Sequence, residues 1–193
     1  MRLVLASRNP NKLVELRALC GLPADFLVSA AECPGAPDPD EDANTFVGNA
    51  LIKARALRDF SGEWALADDS GLEVDALGGA PGIYSARYAS DHNFASNIDR
   101  LLAELNGVED RSGRFRCVVT LILPDGKPHF FDGACEGRIA RERHGSGGFG
   151  YDPVFVPDLY PNLTMAELSE DAKNAISHRG VALRLMATYL ATK

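Results

Sequence analysis

No stretch of this 193-residue chain approaches the roughly 20 consecutive apolar residues that a bilayer-spanning helix needs, so no membrane span is expected. Positive charge is also scarce. Lys and Arg number 20 against 27 Asp and Glu, a formal charge of -7, whereas a sequence-independent grip on nucleic acid needs clustered cations. Cysteine is sparse and unpaired: Cys20, Cys33, Cys117 and Cys135 form no CxxC, which favours reduced thiols over a disulfide framework or a zinc knuckle. The opening "MRLVLASRNPNK" has too short an apolar core for a secretory signal, so a cytoplasmic location is expected. There is no internal repeat and no low-complexity linker. Hydrophobic residues make up 46% of the chain, enough for a substantial core and too many for a disordered protein. The expectation is a soluble acidic protein, residues 1–193 forming one large domain or two closely joined lobes.

The order of elements indicates an α/β class. "RLVLAS" reads as a short buried strand, followed by a helix with Asn9 as N-cap, Pro10 in its first turn, Leu13, Leu16 and Leu19 as its stripe, and Gly21 as its stop. "FLVSA" reads as a second strand and "AECPGAPDPDED" as an acidic, Pro-rich loop. A helix is predicted from about Ala43 to Phe60, burying Phe46, Ala50, Leu51, Ala54 and Leu57. "EWALADD" reads as a strand ending at its aspartates, and "NFASNIDRLLAEL" as a helix. "RFRCVVTLIL" and "PHFFDGACEGRIA" form a hairpin across "PDGK", the first strand apolar on both faces as in mid-sheet. "GSGGFGYDPVFVP" reads as a loop, and "TMAEL" and "RGVALRLMATYL" as the closing helices, the former with a Thr164–Glu167 capping box. These patterns predict a mixed sheet flanked by helices, and two lobes sharing such a sheet would leave a substrate cleft between them.

Some residues are not explained by folding. Lys12 sits in a first helical turn, where a cation opposes the helix dipole, and Ser7, Asn9 and Asn11 surround it. That set suits a phosphate, although a lysine directed into water fits the local pattern as well. Without the glycines and the GK[ST] ending it is no Walker A loop. Asp68 and Asp69 lie side by side after an apolar run, where a buried carboxylate costs several kcal/mol unless compensated. Neighbouring strand residues point to opposite faces, so both serve one site only if the strand stops there, which Ser70-Gly71 permits. Glu41 reads equally as a first-turn acid. Three carboxylates with no His or Cys partner suit a hard cation, Mg²⁺. A solvated turn remains the alternative for the aspartates. "GGFGYD" sets Phe149 and Tyr151 among glycines, where a ring can stand exposed to stack on a flat ligand. "AISHRG" sets His178 and Arg179 at a helix start, with Lys173 just upstream. Acids and bases collected in this way suit a nucleoside triphosphate.

Taken together, "SRNPNK", "EDANTFVGNALIKA", "ADDSGLEVDALGGAPGIYSARYA", "GGFGYDPVF" and "ISHRGVAL" resemble the inosine triphosphate pyrophosphatase family, the Ham1-like XTP/dITP diphosphatases, in order from residue 3 to about residue 190. The resemblance implies a two-lobed α/β fold around a mixed sheet, a homodimer, Mg²⁺, and hydrolysis of ITP, dITP and XTP to monophosphate and pyrophosphate. It implies that Ser7, Asn9 and Lys12 hold phosphates, with Asn11 a further contact; Arg8 stands where the family usually has a small residue, and either adds a phosphate contact or lies outward. It makes Glu41, Asp68 and Asp69 metal ligands, Asp69 and Lys12 catalytic, and Ser70 a substrate contact. Phe149, Gly150, Tyr151 and Asp152 become the base-side loop, with Lys173, His178 and Arg179 closing over base and phosphates. The family commonly has Glu where this chain has Gly48, which leaves no metal role there. An aspartyl-nucleophile phosphatase is the enzymatic rival, but its DxD follows the first strand, where this chain has Ser-Arg-Asn. A non-catalytic nucleotide-binding module would need the glycines and cations but not the carboxylates. On this reading Mg²⁺ and phosphate-binding cations compensate the aspartate pair, and Lys12→Ala leaves the fold intact.

Overall fold

The computed structural model describes residues 2–7, 12–14, 16–17 and 26–192. Six strands, β1 (Leu3–Leu5), β2 (Leu27–Ser29), β3 (Trp64–Val74), β4 (Ser112–Ile122), β5 (Pro128–Ile139) and β6 (Phe155–Pro157), form one sheet in the order β2-β1-β3-β4-β5-β6. It is mixed as expected. β1 runs parallel to β2, with Leu3 opposite Leu27, and parallel to β3, with Leu3 opposite Trp64, while β6 is antiparallel to β5, with Gly137 opposite Pro157. Helices α1 (Phe46–Ser61), α2 (Phe94–Glu104), α3 (Glu170–Ile176) and α4 (His178–Leu190) accompany it, and residues 12–14 and 16–17 are helical.

The chain divides into two compact units. The first comprises Met1–Asp69, Cys117–Gly133 and Arg179–Lys193, the second Ser70–Arg116 and Ala134–His178, so β3, β4 and β5 each contribute to both. In the first unit the side-chain alternation of β1 and β3 sorts the core by face. Leu3, Leu5 and Leu66 pack with Leu16 and with Ala182, Leu183 and Met186 of α4. Val4 and Ala65 pack with Leu57 of α1, and Ala67 packs with Ala54 of the same helix. In the second unit Leu72, Val74, Phe115 and Phe155 pack with Ile98 and Leu101 of α2.

Several expectations change. β3 does not end at the aspartates but runs on to Val74, carrying Asp68, Asp69 and Ser70 inside a strand. "FVP" of the expected loop is β6, and α3 fills a stretch for which no helix was predicted. "TMAEL" supplies one 3-10 turn, Met165–Glu167, with the expected Thr164–Glu167 capping box. α1 begins at Phe46 behind the N-cap Thr45, whose hydroxyl accepts from the N–H of Gly48, and it buries Asn49 while Leu51 is only half-buried. Arg8, Asn9, Pro10, Asn11, Leu19, Cys20 and Gly21 lie outside the described residues. Cys33, Cys117 and Cys135 are free thiols.

Candidate active site

Because β3 continues, its two aspartates keep the alternation of the strand and face opposite sides of the sheet. Asp68 shares its side with Leu66, toward α4; Asp69 shares its side with Ala67, toward α1. The expectation that both carboxylates converge on one point therefore fails at this backbone geometry.

Asp68 is 6% exposed and fully engaged. Lys12 Nζ donates to both oxygens, at 2.7 and 2.9 Å, and Arg179 Nε donates to Oδ2 at 3.3 Å. Burial alone pushes this carboxyl up, but Lys12, Arg179 and Lys53 together outweigh burial and hold it well below the ordinary carboxylate range. Arg179 is itself only 6% exposed, placed by the first turn of α4. Lys12 is thus held against a buried acid, not directed into water. Its removal takes two charge-assisted hydrogen bonds from Asp68, although Arg179 stays. Lys12→Ala is accordingly expected to lower unfolding stability by about 1.5–3 kcal/mol, read from urea denaturation. This replaces the expectation of an unaffected fold.

On the other face, Asn49 Nδ2 donates to Asp69 Oδ2 at 3.1 Å, and Lys53 Nζ lies 3.4 Å from Asp69 Oδ1 and 3.1 Å from Glu41 Oε1. The Lys53 side chain is only 13% exposed. Burial lowers its basicity, but Asp69, Asp68 and Glu41 outweigh that and hold its pKa above the usual value. Asp69 shows the opposite balance. Burial raises its pKa, the charges of Glu41 and Asp68 add to the rise, and the opposing pull of Lys53 and Asn49 does not cancel it. The cluster therefore holds two adjacent carboxyls pushed in opposite directions, Asp68 down by its cations and Asp69 up by burial.

Asn49 and Lys53 were not singled out from the sequence. The readable signal was a polar pair at i and i+4 beside the apolar stripe Phe46, Ala50, Ala54 and Leu57, since such residues are neighbours on one helix face. The neighbouring Gly48 sits where a Cβ would come within 2.5 Å of Ala43 Cβ, so any side chain there must displace the residues that lead into α1. Among the described residues no group of three His, Cys, Asp or Glu side chains is gathered for a metal. Glu41 and Asp69 meet at one ammonium, and Asp68 is engaged elsewhere. Ser7 contributes its carbonyl to the Ser29 hydroxyl at 2.6 Å, and Ser70 is the strand residue next to Asp69.

In the second unit, Phe149 is 47% exposed, as expected for a stacking ring. Tyr151 is not. It is 2% exposed, its hydroxyl donates to Ser85 O at 2.9 Å, and its ring meets Phe94 edge-on at 6.1 Å, so its side chain belongs to the core. The glycine spacing signalled two exposed rings, but only Phe149 is exposed. Buried Asp152 accepts from the Phe149 N–H at 2.7 Å and from Lys173 Nζ at 2.5 Å. Lys173 Nζ in turn lies 4.7 Å from the centroid of the Phe149 ring. Gly148, at φ 73°, has no room for a Cβ beside the Asp152 carboxylate. Gly150 is likewise left-handed, at φ 63°. His178 stacks on Phe115, with ring centroids 4.9 Å apart and 15° between planes.

Residues 3–189 match the Ham1 family. The chain belongs to the Ham1 family. It is 51% identical over 187 residues to a protein of Desulforamulus reducens called dITP/XTP pyrophosphatase, covering 95% of this chain and 92% of that one. A protein of the same name from Geobacter sulfurreducens is 48% identical, over 98% and 96% of the two chains. Among solved structures, a HAM1 protein from Coxiella burnetii superposes with a TM-score of 0.92 at 42% identity and covers all of both chains. The Staphylococcus aureus Ham1 protein gives 0.91 at 39%, covering 100% and 99%. Among the described residues of this Ham1 chain, no helix is long and apolar enough to cross a membrane.

Proposed function

We propose that this Ham1-family protein is a dITP/XTP pyrophosphatase that hydrolyses ITP, dITP and XTP to the monophosphate and pyrophosphate and so removes deaminated purines from the nucleotide pool. The observation that carries the reading is the division of labour on β3. One aspartate fixes two cations, Lys12 and Arg179, and the next stands beside Lys53 and Glu41 on the opposite face of the strand. A phosphate-binding module needs the cations but has no use for a second, separately held carboxylate pair, Asp69 with Glu41.

Lys12 and Arg179, with Ser7, Asn9, Asn11 and Arg8, take the triphosphate in this proposal. Asp68 holds the first two in place. Asp69 accepts the proton of a water attacking the α-phosphorus; the bond from that phosphorus to the bridging oxygen breaks, and pyrophosphate leaves with the electron pair. Phe149 stacks on the base, with Gly150, Asp152, Lys173 and His178 setting its surroundings, and Ser70 is a further substrate contact. Tyr151 contributes through its backbone, since its side chain is core.

The donor set fits Mg²⁺: oxygen-only ligands, with Glu41 and Asp69 already sharing one cation, for an ion that takes one or two carboxylates and fills its sphere with water and phosphate. When bound, Mg²⁺ would neutralise phosphate charge and polarise the phosphoryl under attack. Activity is therefore expected to vanish with excess EDTA and to return on adding Mg²⁺. The reaction itself is tested by incubating purified protein with ITP, XTP, GTP and ATP and identifying products by chromatography. IMP and pyrophosphate are expected from ITP, and IDP with orthophosphate would overturn the reading. The proposal includes a cytoplasmic homodimer, its mass to be checked by light scattering.

A further inference from the structure

We propose that a cavity of about 640 Å³ in the second unit is a binding site for a small phosphate-bearing anion, separate from the residues that carry the proposed hydrolysis. The volume lies within the roughly 300–1,000 Å³ of small-molecule sites. The start of β4, the end of β5, β6 and the segment 161–167 line it; Lys12, Glu41, Lys53, Asp68, Asp69 and Arg179 do not.

Its distinguishing feature is Arg111, which is 9% exposed and lines the cavity. The guanidinium donates to three backbone carbonyls: Nε to Ile139 at 2.8 Å, Nη1 to Leu105 at 2.7 Å and Nη2 to Ala140 at 2.8 Å. A guanidinium carries five N–H bonds, so two donors remain beyond those three. Among the described residues no carboxylate pairs with it. A buried cation is costly unless paired, and carbonyl dipoles alone leave its charge formally uncompensated. Burial accordingly lowers its pKa, and the charge of Arg141 lowers it further, only partly offset by Glu109.

The acids around the cavity are already committed. Glu109 pairs with Arg141 at 3.3 Å, Asp110 accepts from the Ser112 N–H at 3.0 Å, and Glu167 closes the capping box on Thr164. Arg138, a second lining guanidinium, donates to Pro161 O at 2.6 Å and, among the described residues, pairs with no acid. Two guanidinium groups lacking carboxylate partners in one cavity recognise an oxyanion with several acceptor oxygens, which a phosphate group supplies with charge to match.

Titration of ¹⁵N-labelled protein with orthophosphate, pyrophosphate or IMP tests the site. Saturable shifts are expected in the amides of Ser112, Ala140 and Asn162. Arg138→Ala removes an exposed side chain and leaves the Arg111 anchoring intact, so the variant folds; it should weaken the affinity read from those amides about tenfold or more. Saturation by orthophosphate identifies a free oxyanion site, and saturation by IMP alone identifies a phosphate-monoester site. Absence of saturable shifts at those amides with all three probes overturns the proposal, as does an unchanged affinity in Arg138→Ala. Loss of ITP hydrolysis would leave these readings untouched, so failure of the proposed function and failure of this site are distinguishable.

Discussion

Asp69→Asn is expected to lower kcat for ITP by roughly 10²- to 10⁴-fold, the range set by removing a positioned general base. Stability should hold to within about 1 kcal/mol, a net figure from two opposed changes. Asn cannot accept from both Asn49 and Lys53 as the carboxylate does, so about one hydrogen bond is lost. Against that, a buried charge repelled by Glu41 and Asp68 disappears. Lys53 keeps Glu41, 3.1 Å away. The pH dependence adds a second reading. The folded pKa of Asp69 is raised, so its ionised, base-competent form is lost at a higher pH than for an ordinary aspartate as acid is added. The acid limb of the kcat profile is therefore expected to belong to Asp69, and Asp69→Asn should remove it. The same shift makes Asp69 a small destabilising group at neutral pH. A raised carboxyl contributes stability only where it is protonated, and loses it as pH rises through its folded value. A variant with wild-type turnover, or with a wild-type acid limb, ends the assignment.

The reason this aspartate could be suspected from the sequence but not placed is instructive. The apolar run "ALA" before Asp68 and Asp69 signalled burial and did so correctly. Asp, Ser and Gly are depleted in strands, so "DDSG" signalled a strand end, yet β3 passes straight through. The partners that make this tolerable come from 56 and 111 residues away, Lys12 and Arg179, and no local pattern contains them. Strongly periodic elements were legible: the helix now seen as α1, the hairpin of β4 and β5, and the last helix. Tyr151 was misjudged for the same reason as the strand end. Its glycine-rich setting is local, whereas the Ser85 carbonyl that draws it inward lies 66 residues away. Lys53 escaped because a single lysine on a helix face usually covers apolar surface with its stem and reaches water, and only the fold reveals that this one does not.

Asp68→Asn should be the more damaging substitution for the fold, at a cost of about 3–5 kcal/mol in unfolding stability, the penalty for removing one partner of a buried ion pair. The change is nearly isosteric, so the loss is electrostatic: Arg179, 6% exposed, and the half-buried Lys12 would face a neutral amide. Asp68 and Asp69, adjacent in sequence, are thus expected to separate cleanly, one variant inactive but stable and the other unstable. Acid should reproduce the effect in the wild type. The folded pKa of Asp68 is depressed, so its contribution is fully present above the unfolded value of roughly 3.9 and drains away as pH falls from there toward the folded value. Urea unfolding measured from pH 7 down to pH 3 should therefore show a wild-type decline at the acid end that is shallower in Asp68→Asn. Replacing Arg179 by Met in the same chain should recover part of the loss, because the buried guanidinium that faced the lost charge is then gone. If Asp68→Asn instead unfolds at the wild-type urea midpoint, Asp68 is a solvated residue after all, and the cation pair it was held to anchor needs another explanation.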